Sequence, residues 1–325
     1  MIPYLSFVIA ARNDNYGGNF LHRISVFLNA LLSLWDKYNV SAELIIVEWN
    51  PPKDKKRLRD VLSWPKYLKP GSVCILEVPA EIHYRLPMSD LMPMFEYIAK
   101  NVGIRRARGQ YILATNPDLL YSEELVSFLS TQSLSRDCFY RVDRYDIAES
   151  VPIDLSVEEQ LRFCAKHLFR VSNINGTFLI RGFQASLRRL LYRFTELQKA
   201  RILCHERGIV SLRQLHTNAS GDFLLMEKSR WFEIKGYPEL KSHSFIDGYG
   251  CILAASLGLR QILLPDPMRI YHQEHDRGEH GTRPHTDYQR YLQDGEKMLR
   301  YGKPEILNDD NWGIGEEDLS THWIT

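Results

Sequence analysis

At 325 residues, with 44% hydrophobic and 25% charged residues, the chain has the balance of a globular protein and the length of one large α/β domain or two smaller ones. Its 41 Lys+Arg against 40 Asp+Glu leave a formal net charge of +1, so nucleic acid is not expected as a partner on whole-molecule electrostatics. No run approaches the ~18 uncharged apolar residues of a transmembrane segment, and Met1-Ile2-Pro3-Tyr4 lacks the basic and apolar regions of a signal peptide. The five cysteines (Cys74, Cys138, Cys164, Cys204, Cys251) form no CxxC pair, which predicts reduced, buried thiols and a cytoplasmic location.

Strand and helix patterns alternate through residues 1–130. Tyr4–Ala10 is a short β-rich apolar run, followed by the polar turn Ala11–Gly18. Phe20–Tyr38 carries Phe20, Ile24, Phe27, Leu28, Leu31, Leu34 and Trp35 at helical spacing. Glu43–Val47 is a continuous apolar strand, as in a parallel sheet covered on both faces, and Ser72–Val78 is a third strand. Met94–Arg108 follows as a helix, with Gly109 placed as its C′ glycine. Tyr111–Thr115 is a fourth strand, and Ser122 caps a helix over Ser122–Ser130.

From 150 to 215 the pattern is weaker. It yields one strand at Thr177–Arg181 and an arginine-rich amphipathic helix at Ala185–Arg201. That helix reads as long cationic side chains snorkelling over a leucine stripe, with peripheral membrane contact as the alternative. Beyond it come a strand at Phe223–Met226, helices at Ser229–Ile234 and Gly248–Leu257, a strand at Met268–Tyr271, and a polar tail with one helix near Tyr288–Leu299. The alternation implies an α/β fold: a Rossmann-like, mostly parallel central sheet flanked by helices.

Ligands of such sheets bind beyond the C-terminal strand ends. Those ends are Ala11-Arg12-Asn13-Asp14, Glu48-Trp49-Asn50 and Asn116-Pro117-Asp118, all hydrogen-bond capable. No glycine-rich phosphate loop follows the first strand, and no P-loop occurs. A diphosphate held here would need a divalent cation on carboxylates.

The segment Asn101–Asp118 (NVGIRRARGQYILATNPD) resembles the nucleotide-binding segment of nucleotide-sugar-dependent glycosyltransferases of the GT-A fold. A second run is similar to the C-terminal segment of β-1,4-galactosyltransferases and chondroitin-type polymerases. It comprises Gly221-Asp222-Phe223, Trp231, Gly236-Tyr237-Pro238-Glu239, Phe245-Ile246-Asp247 and Ile270-Tyr271-His272 through His275. The blocks cover about half of the chain in the family's order. In place of the usual D-x-D, the chain has Asn116-Pro117-Asp118, and its second strand carries Glu48 where the family usually has Asp.

The resemblance implies transfer of a sugar, with inversion from the Asp247 match and retention as the open alternative, from a nucleotide-diphosphate donor, UDP-linked in the family's pattern, to a saccharide or glycoconjugate hydroxyl. It places Mn²⁺ or Mg²⁺ on Asp118 and His272, with His275 unassigned. Asp247 would be the general base and Asp222 would hold donor or acceptor hydroxyls. Ala11, Arg12, Asn13, Glu48, Asn101, Arg105 and Asn116 would contact the nucleotide. Residues 1–130 form the donor half, 131–275 the acceptor half, and 276–325 an extension with a lid among its readings. Two alternatives stay open: a sugar nucleotidyltransferase, and a nucleotide-sugar or glycan-binding protein without catalysis, the latter suggested by Asn116.

Overall fold

The computed structural model describes residues 2–180, 209, 211–240, 245–276 and 285–324. The first half builds β1 (Leu5–Ala11), α1 (Phe20–Lys37), β2 (Ala42–Trp49), α2 (Leu58–Val61), β3 (Val73–Val78), α3 (Ala80–His83), α4 (Glu96–Arg106) and β4 (Tyr111–Thr115). After it come β5 (Leu119–Tyr121), α5 (Glu123–Ser130), β6 (Cys138–Arg141), β7 (Asp143–Ile147), α6 (Val157–Lys166), β8 (Leu168–Asn173) and β9 (Gly176–Leu179). The remainder is β10 (Phe223–Glu227), α7 (Lys228–Glu233), α8 (Ile246–Ser256), β11 (Arg260–Leu263), β12 (Arg269–Gln273), α9 (His285–Tyr301) and β13 (Ser320–Trp323).

Eight strands form the central sheet in the order β11-β6-β10-β4-β1-β2-β3-β13. The run β4-β1-β2-β3 is parallel throughout, whereas β10 and β13 are antiparallel to their neighbours. Alternation along β1 sends Leu5, Phe7 and Ile9 into one core with Ile24, Phe27 and Leu31 of α1. Val8 and Ala10 enter a second core with Ala99 and Val102 of α4 and much of α8. Burial on both faces is why these strands read as unbroken apolar runs. This mixed α/β architecture with a large, mostly parallel sheet is the one expected from the sequence.

A second sheet, ordered β5-β12-β7-β8-β9, was not expected. Chain through Asn116-Pro117-Asp118 leaves β4 and enters β5. Within the second sheet, His272 of β12 stands opposite Leu119 on one side and Asp146 of β7 on the other. That register lines up a row of polar side chains beside the end of β4.

Several local expectations shift. The strand near 268 runs to Gln273, so His272 lies inside it rather than after it. Helix α8 starts at Ile246, which makes Asp247 part of the first turn instead of its N-cap; Phe245 fills that position at φ 63°. Gly109 is no C′ glycine, because α4 ends at Ala107 in an extended conformation. Its role is close approach: a Cβ there would lie 2.6 Å from Ser6 Oγ, which accepts the Gly109 N–H at 2.8 Å. Ser122 does cap α5, accepting from Leu125 N. The helix expected at Ala185–Arg201 and Cys204 lie outside the described residues, while Cys74, Cys138, Cys164 and Cys251 are buried free thiols. Among the described residues no helix is long and apolar enough to cross a membrane.

Candidate functional site

Three side chains converge beyond the end of β4. Asp118 Oδ2 lies 3.2 Å from His275 Nε2 and 3.7 Å from His272 Nε2. The three residues offer ligand atoms within 4.8 Å of one another. Asp118 is 9% exposed, and its Oδ1 is buried with no hydrogen-bond partner. A buried, unsatisfied carboxylate oxygen is costly unless a cation or a donor completes it. Burial would raise the Asp118 pKa, but the His272 and His275 imidazoles outweigh it and hold the carboxyl below its ordinary value. Burial alone would lower His272; Asp118, Asp146 and Glu274 reverse that and bring it up to about 9.

The turn after β1 closes over His275. Arg23 of α1 donates to Tyr16 O at 2.6 Å and to Gly18 O, and the Tyr16 ring meets the His275 ring edge-on at 5.3 Å. Gly17 sits at φ +64°, and a Cβ there would stand 2.3 Å from His275 Nδ1, so only glycine permits this closure. His275 Nδ1 in turn lies 2.9 Å from Asp276 O, a partner suited to an Nδ1–H. With a proton on Nδ1, Nε2 is the nitrogen that could ligate a cation beside Asp118.

Behind the three lies a network of charges. Asp222 Oδ2 accepts from Arg144 at 2.6 Å and its Oδ1 accepts from Asn116 Nδ2 at 2.7 Å. Burial works to raise Asp222, yet Arg144 and His272 keep it well below the usual carboxylate range. Arg144 Nε reaches Asp146 Oδ1 at 3.0 Å; Arg170 Nε reaches Asp146 Oδ2 at 2.5 Å and also pairs with Glu274. Asp247 is half-buried and accepts the Gly221 N–H at 3.2 Å, one residue before Asp222. Buried Lys100 donates to Gly221 O at 2.8 Å and to Glu96 at 2.7 Å, steadying the same turn.

The structure thus brings Asn116, Asp118, Asp222, His272 and Asp247 together. Ala11, Arg12 and Asn13 lie on the same rim, where Arg12 donates to Asn50 O and Asp14 and Asn13 donates to Lys56 O. Three other residues singled out in the sequence are engaged elsewhere. Glu48 is buried and accepts from Leu58 N at 2.9 Å. Asn101 is buried, donating to Tyr237 O and Glu239 and accepting from Tyr237 N, each at 2.8 Å. Arg105 donates to Asp310 O and Trp312 O at 2.9 Å, in the last turn of a helix that leads back to the start of β4. Trp231, open between core and sugar platform in the sequence, is core: it is fully buried and donates to Ile112 O.

Sequence reasoning missed Arg144, Asp146, Arg170 and Glu274. A signal existed in Asp143–Ile147, where opposite charges at i and i+2 share one face of a β-rich segment, but no helix or turn pattern around it marked a strand.

Fold and site together define an α/β protein with a carboxylate–imidazole cluster beyond the C-terminal end of a central strand of its sheet. No protein-family model matches the chain, and no curated protein matches it in sequence. Among solved structures it is similar to GalNAc-T7, crystallised with UDP, GalNAc and Mn²⁺. The identity is 12%, the match covers 90% of this chain and 49% of that one, and the TM-score is 0.47. The chain therefore spans about half the length of that protein. Likeness at this level concerns the course of the backbone and says nothing of ligands.

Proposed function

We propose that this protein is a metal-dependent glycosyltransferase, moving a sugar with inversion from a nucleotide-diphosphate donor, UDP-linked, to a hydroxyl of a saccharide or glycoconjugate. The observation that carries the reading is the convergence of Asp118, His272 and His275, with an unsatisfied buried Asp118 oxygen, where open α/β sheets receive ligands. One carboxylate and two imidazoles suit Mn²⁺, and Mg²⁺ less well because it prefers all-oxygen shells. Bound there, the cation would neutralise charge on the departing diphosphate.

The protein's own residues take the remaining tasks. Ala11, Arg12, Asn13 and Asn116 line the rim on which the nucleotide would lie. Asp222, engaged by Arg144 and Asn116, orients the Asn116 amide. Asp247 is the base: its carboxylate takes the proton of the acceptor hydroxyl while that oxygen bonds to the anomeric carbon and the bond to the diphosphate breaks. Two measurements test this. UDP should stabilise the protein against heat only with Mn²⁺ present; metal-independent stabilisation would instead mark a binding protein without catalysis. Asp247→Asn should lower turnover by about 10²–10⁴-fold and leave UDP affinity unchanged; lost UDP binding would move Asp247 to the donor site.

A further inference from the structure

His272 belongs to two clusters at once: its Nε2 faces Asp118, while its Nδ1 lies 3.0 Å from Asp146 Oδ1 and 3.5 Å from Glu274 Oε2. The second cluster, Asp146–His272–Glu274, has the donor types of another cation site. Two guanidinium groups already stand in it. Arg170 is paired with both carboxylates, and Arg144 with Asp146. A dication added among them would meet two fixed positive charges, so this side of the ring is no site for a second metal.

We propose that Asp146 is a positioning residue that keeps a proton on His272 Nδ1, so that Nε2 is the nitrogen left to ligate a cation beside Asp118. Imidazoles that ligate metals commonly give their other N–H to a carboxylate, which fixes both ring orientation and tautomer. Three features fit Asp146 to that task. It is fully buried, its position opposite His272 is set by the β7–β12 register, and Arg144 and Arg170 keep its carboxylate ionised and immobile. The Nδ1 contact is short but off the ideal hydrogen-bond line, so the ring must turn slightly to make it linear. Arg144 also carries the network on to Asp222 and Asn116, tying the orientation of His272 to the rim.

The inference rests on the proposed cation site, and its test separates the two. Asp146→Asn keeps the side-chain shape and an oxygen for Arg170. In the folded variant, Mn²⁺ affinity of the protein alone, read by electron paramagnetic resonance, should fall about 10–100-fold; unchanged affinity would overturn the proposal. Independently, nitrogen-15 spectra of the metal-free wild type, recorded above about pH 9 where the His272 ring is neutral, should show its remaining proton on Nδ1; a neutral ring protonated on Nε2 would overturn the proposal even if the variant does not fold. A wild type that binds no Mn²⁺ would refute the function proposed above, while the Nδ1 proton would still decide the Asp146–His272 pairing.

Discussion

Two polar regions of this molecule look alike in the sequence and behave oppositely in the fold. At the clasp between α4 and the tail, the polar side chains reach fixed partners. Arg105 takes two carbonyls and lies over the Trp312 ring at 5.2 Å, while Arg106 takes Gly313 O, Ile314 O and Glu317 O. Gly313 N donates to Glu239, which also accepts from Asn101. Around Asp118, by contrast, the carboxylate oxygen Oδ1 is buried without a hydrogen-bond partner. A saturated polar cluster holds the fold together, whereas a buried oxygen left without a donor is the feature on which the proposed cation site rests. The tail, with a lid among its expected roles, is held in the first kind of region, and β13 extends it as an edge strand on β3.

The contrast can be broken or sharpened by substitution. The largest effect is expected from Asp118→Ala, which should lower Mn²⁺ affinity by more than about 100-fold in calorimetric titration while the metal-free protein stays folded. Intact metal binding in that variant would move the site elsewhere.

Glu48 tests the next boundary, because the resemblance assigns it to the nucleotide and the fold assigns it to a loop. Burial pushes its carboxyl up to about 7, against the stabilising Leu58 N–H. The unfolded chain therefore releases this proton first, and stability contributed by neutral Glu48 is present below about pH 4.5 and lost as pH rises through about 7. Glu48→Gln, which keeps an acceptor for Leu58, should match the wild type at low pH and exceed it above pH 7 by up to about 3 kcal/mol in urea unfolding. An unchanged pH profile with weakened UDP binding would return Glu48 to the donor site.

Asn101→Ala should cost about 2–3 kcal/mol of stability, by stranding the Tyr237 N–H in the interior and removing one of the two donors to Glu239 Oε1, with metal affinity unchanged. Reduced UDP affinity at full stability would reverse the assignment of α4. The smallest effect belongs to Arg105→Met, about 1 kcal/mol, seen as faster hydrogen exchange in the tail. Unchanged exchange there would mean the clasp does not depend on this guanidinium.

Much was legible before any coordinates. β1 to β4 and α1 announced themselves because strands buried on both faces, and a helix buried on one, carry their environment in their periodicity. Asp118 and His272, singled out through flanking patterns rather than through their own chemistry, do lie next to each other in the fold. What failed was local and instructive. Asn101 and Arg105 lie on the polar face of α4, which alone would be solvated; distant residues 308–317 cover it. The stretch from 150 to 215 was weakly patterned and β7 and β8 went unread, because the second sheet is built of short strands whose partners lie far along the chain, as with β7 and β12.

By itself, then, the sequence determined the layered α/β core, since apolar periodicity depends only on neighbours within a few residues. Tertiary structure alone decided which polar residues form a site. Asp146 meets His272 through a strand pairing across more than 100 residues, and whether a buried charge is satisfied or left open depends on what the rest of the fold brings to it.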